Sequence, residues 1–123
     1  MFHIQKYKTE SGECPLDNFI NELLESGLKQ EVVKIEHYIN LLENLGNEIL
    51  SNSTWAKSLG NGIYELRPKT NRVLYFYCSS NNEYVLLHGF KKKQQKTPKQ
   101  EIERAKSEID DYERRIKNGK QKI

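Results

Sequence analysis

The sequence predicts an α+β fold: a twisted antiparallel sheet, two helices packed on one of its faces, and a further helix at the C-terminal end. Three observations carry this. Apolar residues recur at helical spacing through most of the first half of the chain, alternate with period two after Trp55, and return to helical spacing after Pro98.

Each element follows from local chemistry. Residues 2–8 place Phe2 and Ile4 on one side and His3, Gln5 and Tyr7 on the other, as a first strand does. The segment 11–15 (SGECP) breaks it. Leu16, Phe19, Ile20, Leu23 and Leu24 then follow the spacing i, i+3, i+4, i+7, i+8, with Pro15 in the first turn and Gly27 near the end, which predicts a short amphipathic helix. Val32, Ile35, Ile39 and Leu42 form the stripe of a second helix that stops near Gly46. Residues 63–67, 72–78 and 84–90 read as three strands separated by the turn-like segments 68–71 (PKTN) and 79–82 (SSNN). Connections this short make the three strands antiparallel neighbours, because a parallel pair needs a crossover. The stretch 84–87 (YVLL) is apolar on both faces and suits a central strand. Pro98 opens a last helix to about Lys117, with Ile102, Ala105, Ile109 and Tyr112 or Ile116 as its thin apolar stripe.

A length of 123 residues fits one domain, residues 1–123. With 30% charged and 10% aromatic residues the chain has enough apolar material to fold. No apolar run approaches the roughly 20 residues of a membrane span, and the N-terminal FHIQKYK has no apolar signal core, so no membrane partner and a cytoplasmic location are expected. Cys14 and Cys78 have no Cys or His at ligand spacing, which points to buried thiols. Neither a metal site nor a cofactor is expected.

The net charge of +3 conceals an asymmetry. Residues 1–50 hold four Lys/Arg against nine Asp/Glu, a balance of −5, and residues 51–123 hold sixteen against eight, a balance of +8. A basic, aromatic-containing half is the footprint of a polyanion ligand, with a merely solvated face as the plainer reading.

Three blocks, residues 57–67 (KSLGNGIYELR), 72–76 (RVLYF) and 86–98 (LLHGFKKKQQKTP), resemble the phage Gp49-like toxins, the HigB-type branch of the RelE-like superfamily. The resemblance covers nearly the whole chain. It implies a RelE-like fold and cleavage of messenger RNA in the decoding site of the ribosome. It also implies a cognate helix-turn-helix antitoxin of the HigA type and a functional arginine at Arg72. In related toxins the basic residues after the corresponding strand are catalytic, which brings Lys91, Lys92 and Lys93 into consideration and makes Lys92 a candidate catalytic residue. RelE toxins themselves place lysines near the positions of Ile63 and Glu65, so the acid and base are arranged differently here.

The chemistry can be argued beside the resemblance. A nuclease that attacks with the ribose 2′-hydroxyl must deprotonate that hydroxyl, stabilise a negative transition state, and protonate the leaving 5′-oxygen. Arg67 and Arg72, at the two ends of one turn, are the candidate phosphate clamps, with a plain ion pair to Glu65 as the alternative for Arg67. His88 suits proton transfer near neutral pH, although a histidine in an apolar strand is more often a packed, hydrogen-bonded residue. It should face the same side as Phe90. Lys57, Lys91, Lys93 and Lys96 are candidate RNA contacts, and Tyr75 is a candidate stacking surface; among Tyr64, Tyr75, Tyr77 and Tyr84, about half must face the helices. The reading is therefore a metal-independent endoribonuclease. A non-catalytic RNA or ribosome binder is its alternative, and a DNA-binding module is disfavoured because no helix-turn-helix pattern is present.

Overall fold

The computed structural model describes residues 1–119. In chain order it has strand β1 (His3–Lys6), helices α1 (Pro15–Glu25) and α2 (Lys29–Leu45), a 3-10 helix (Gly46–Ser51), strands β2 (Ala56–Gly60), β3 (Ile63–Leu66), β4 (Asn71–Cys78) and β5 (Glu83–Lys91), and helix α3 (Lys99–Lys117). The α+β class and the order of the expected elements hold. None of the helices among the described residues is long and apolar enough to cross a membrane.

Two features depart from the expected sheet. It has five strands in the order β1-β5-β4-β3-β2, and β1 runs parallel to β5, so the sheet is mixed rather than wholly antiparallel. The short-loop argument constrains only hairpin-linked strands, whereas β1 reaches β5 through the whole intervening chain. The fifth strand, β2, is an edge strand of composition AKSLG, mostly exposed, and it carries no apolar alternation to announce it.

The two faces of the sheet bury different helices. On one face Leu66, Val73, Tyr75, Tyr84 and Leu86 pack with Leu16 and Leu23 of α1 and with Val32, Ile35 and Leu42 of α2. On the other, Leu74, Phe76, Val85, Leu87 and Phe90 pack with Ala105 and Tyr112 of α3. Burying such side chains stabilises the fold by about 1.5–3 kcal/mol each. Gly89 is required on the first face, since a Cβ there would lie 2.5 Å from the Phe19 ring of α1.

The alternation slips within the β4–β5 pair. Leu74 pairs with His88 and Tyr75 with Leu86, so Leu87 is an extra residue in β5, a bulge that leaves Val85, Leu87 and His88 all directed to the α3 side. His88 then shares its face with Phe90, as expected, with ring centroids 6.2 Å apart.

Polar contacts pin α3 to the sheet. Tyr112 donates to Glu83 (2.5 Å) and Tyr7 to Asp111 (2.6 Å), while Arg115 donates to Asp111 (2.7 Å) and to the Lys8 carbonyl. Burial, then the Asp111 hydrogen bond, pushes the Tyr7 phenol up to about 12. The hydrogen bond from Arg115, reinforced by Tyr7 and opposed in part by burial, holds the Asp111 carboxyl below its ordinary range. A carboxyl depressed in the folded state contributes stability that is complete above its unfolded pKa and is lost as pH falls through the folded value. Asp111→Asn is therefore expected to lower the thermal midpoint at neutral pH and to flatten its decline below about pH 5, measured by circular dichroism melts across a pH series.

Candidate functional site

The site is built around Glu65. Its residue is only 3% exposed, at the end of β3 on the α3 side, and one carboxylate gathers three partners. Thr97 donates to Oε1 at 2.6 Å. Arg67 Nε lies 3.5 Å and Arg72 Nε 3.8 Å from Oε2. The two arginines predicted at the ends of the β3–β4 turn are thus brought to one buried carboxylate, and the ion pair foreseen for Arg67 exists.

The arginines differ in freedom. Arg72 is 5% exposed, and its Nη1 donates to the carbonyls of Lys69 (2.7 Å) and Asn71 (2.8 Å), which ties it to the turn. Burial lowers its pKa, with Glu65 opposing. A guanidinium stays charged nonetheless. Arg67 has a quarter of its side chain exposed and donates through Nη1 to the Ser53 carbonyl at 2.8 Å.

Arg67 is shared by two grooves. The first, about 530 Å³, is lined by Lys57, Glu65, Arg67, Lys96, Thr97 and Lys99 together with Ser58, Leu59, Gln94, Gln95, Pro98 and Ile102. Glu65 is the one carboxylate on its wall. The second, about 490 Å³, is lined by Lys34, Tyr38, Ser53, Thr54, Arg67, Lys69 and Arg72, with no carboxylate on its wall. The mutual register explains the first: Lys57 stands opposite Glu65 across β2–β3, on the same face.

The lysines after β5 separate into different roles. Lys96 lines the first groove, whereas Lys91 forms a 2.7 Å ion pair with Glu31 of α2. Lys92 is half-buried and its backbone N–H donates to Thr70 O at 2.7 Å. Lys93 is exposed and lines neither groove. Asn71 also donates to Glu31, so the acidic first half and basic second half touch here.

Two predicted site residues lie in the interior. His88 is fully buried; Nδ1 lies 2.7 Å from Glu108 Oε1 and Nε2 3.0 Å from Glu101 Oε1, both on α3. With both nitrogens taken and Leu74 standing between it and Glu65 in the cross-strand row, His88 reaches neither groove. The packed-histidine alternative describes it. Tyr75 is 1% exposed, stacked on Tyr64 (5.4 Å) and edge-on to Tyr84 (6.1 Å) within the core under α1 and α2. It has no face to offer a base. Tyr77, 38% exposed, is the tyrosine that reaches the surface most clearly.

Cys14 and Cys78 are free and buried, as expected. Among the described residues no group of three or more His, Cys, Asp or Glu side chains is arranged to hold a metal ion.

Comparison with known families fits this geometry. The family model described as phage derived protein Gp49-like matches residues 22–110, which run from the last turn of α1 into α3 and include every residue that lines the two grooves. The chain belongs to this family. Gp49-like proteins are related to the RelE- and HigB-like toxins, so the resemblance seen in the three sequence blocks is shown at the level of the family, and the mixed sheet with its C-terminal helix is consistent with a RelE-like fold. No individual curated protein matches the chain. Within the Gp49-like chain, Glu65, Thr97, Lys99, Lys34 and Lys69 are the site residues that sequence reasoning did not assign. Only Glu65, two positions before Arg67 on the same strand face, carried a usable signal.

Proposed function

We propose that this Gp49-like protein is the toxin of a type II toxin–antitoxin pair, a ribosome-associated endoribonuclease that cleaves messenger RNA by 2′-hydroxyl attack. The observation that carries the reading is the convergence of Arg67 and Arg72 on the buried Glu65 carboxylate beside a groove lined with lysines.

The chemistry uses the chain's own side chains. Arg67, partly exposed and oriented by Glu65 and the Ser53 carbonyl, binds a non-bridging oxygen of the scissile phosphate and meets the charge that grows there. Arg72 stays in the wall, holding the turn and sharing Glu65, and is a positioning residue. Glu65 takes the 2′-hydroxyl proton as the 2′-oxygen bonds to phosphorus. The bond from phosphorus to the 5′-oxygen then breaks, and the ammonium of Lys57 or Lys96 protonates the leaving oxygen. The first groove thereby absorbs the predicted Lys57, Arg67 and Lys96 into one role. His88 and Tyr75 act only through packing, and Lys92 and Lys93 belong to the general positive field that attracts RNA.

The partners follow from the same reading. Messenger RNA and ribosomal RNA meet the basic half. The outer faces of α1 and α2, where Leu24 and Val33 are about half exposed within the half of the chain that has an acidic balance, receive a basic segment of the helix-turn-helix antitoxin in an interface of at least about 1,000 Å². A complex that seats the antitoxin only on residues 91–96 would contradict this division.

Chemistry at the ribose gives the direct test. With a substrate that carries a single 2′-deoxynucleotide at the cut site, cleavage is expected to cease, and the natural substrate is expected to leave a 2′,3′-cyclic phosphate on the upstream fragment. Cleavage of the deoxy substrate at an undiminished rate would overturn the mechanism. Intact RNA on arrested ribosomes would favour a non-catalytic binder.

A further inference from the structure

We propose that the second groove, between α2, residues 53–54 and the β3–β4 turn, is a separate phosphate subsite for single-stranded RNA, with Lys34 and Lys69 as its ligands. The proposal rests on the ribonuclease reading and adds to it a site that lies across Arg67 from the groove where cleavage is placed.

The charge balance is the first support. Lys34, Arg67, Lys69 and Arg72 line the groove, and the carboxylate closest to these arginines, Glu65, stands on the wall of the other groove. Four cations against that one carboxylate leave a surplus of +3 around a concavity of about 490 Å³. On α2, Glu31, three residues before Lys34, is already engaged by Lys91 and Asn71 at 2.7 and 2.8 Å. A surplus of this sign held in a concave surface draws anions more strongly than the same charges spread over a convex one.

Construction of the wall is the second. Arg72 is nearly buried and keeps its charge, and its Nη1 bond to the Lys69 carbonyl fixes the turn that carries Lys69, a residue held at φ 59°. Such a positive φ is uncommon outside glycine and persists where surrounding contacts hold it. Lys34 is half-buried on α2 and lines the groove. The hydroxyl-bearing Tyr38, Ser53 and Thr54 complete the lining. Such groups contact phosphate and sugar oxygens and fix the register of a strand without reading its bases.

The shape selects the ligand. Two grooves of 490 and 530 Å³, each of small-molecule size, meet at one arginine. That arrangement suits consecutive units of one flexible strand bent over Arg67. A duplex, whose backbones are held apart by paired bases, cannot enter both concavities.

The test is equilibrium binding of fluorescent, uncleavable 2′-O-methyl oligoribonucleotides to the full chain across a salt series. The double variant Lys34→Gln, Lys69→Asn removes both charges, and asparagine accepts the positive φ at position 69. A hexanucleotide is expected to bind the variant on the order of tenfold more weakly at low salt, with the slope of log K against log salt reduced by about 1.4, for two phosphate contacts at about 0.7 each. A dinucleotide, too short to span both grooves, is expected to lose less than about twofold, and the thermal midpoint to stay within a few degrees. An unchanged hexanucleotide slope would overturn the subsite while leaving the ribonuclease reading intact. Equal losses for the hexanucleotide and a blunt RNA duplex would overturn the single-strand assignment, and failure of the wild-type chain to bind the hexanucleotide at low salt would overturn the subsite, while the ribonuclease reading stands or falls on cleavage of ribosome-bound messenger.

Discussion

Replacing Arg67 by alanine is expected to lower RNA cleavage by at least about 100-fold while moving the thermal midpoint by no more than a few degrees. Loss of one preorganised donor to a charged transition state costs about 2.7–4 kcal/mol, which sets the size of the effect. Stability changes little because Arg67 is partly exposed, and its protein contacts are one carbonyl at 2.8 Å and a carboxylate at 3.5 Å. Arg72→Ala would be the less informative variant. It would strip two carbonyls and Glu65 of a buried guanidinium, so lost activity would mix with lost stability. Wild-type cleavage by the folded Arg67→Ala protein would remove Arg67 from the chemistry.

His88→Ala carries the largest expected effect on stability. The imidazole lies between Glu101 and Glu108, and Arg104 donates to the second of these at 3.2 Å. Without the ring, two carboxylates on α3 lose a hydrogen-bond partner and face a void in the sheet surface, and leaving buried polar groups unsatisfied costs about 1–3 kcal/mol each, more when they are charged. Urea denaturation at neutral pH is expected to show that loss. Adding Glu108→Gln to His88→Ala should recover part of it, because the orphaned charge is then gone. Cleavage measured where the variant is still folded should fall only severalfold. Native stability combined with a hundredfold loss of cleavage would return the imidazole to the reaction and contradict the packing role.

The contrast between Arg67 and His88 shows how far the sequence could be read. Helical and strand periodicities located α1, α2, β3, β4, β5 and α3 to within a residue or two, because each buries a continuous stripe or face. β2 escaped, since an exposed edge strand with Ser58 and Gly60 has no face to pattern. The parallel pairing of β1 with β5 escaped because nothing local encodes a partner some eighty positions away. At the site, the Arg67 and Arg72 pair was visible because one short turn links them. Lys34 was not, because it comes from a helix more than thirty residues earlier, in the half of the chain with an acidic balance. Tyr75 and His88 were chosen for chemistry their residue types can perform. Strand alternation and the Leu87 bulge decide instead where such side chains point, and here they point into the two cores.

Mapping of RNA 5′ ends shows directly whether the chain cuts ribosome-bound messenger. Purified ribosomes carrying a defined messenger are incubated with the wild-type chain and, in parallel, with Arg67→Ala. Discrete new 5′ ends are expected within the ribosome-bound messenger for the wild type, forming at least about 100-fold more slowly with the variant. A messenger that stays intact with the folded wild-type chain, whether or not translation stops, would contradict the ribonuclease reading.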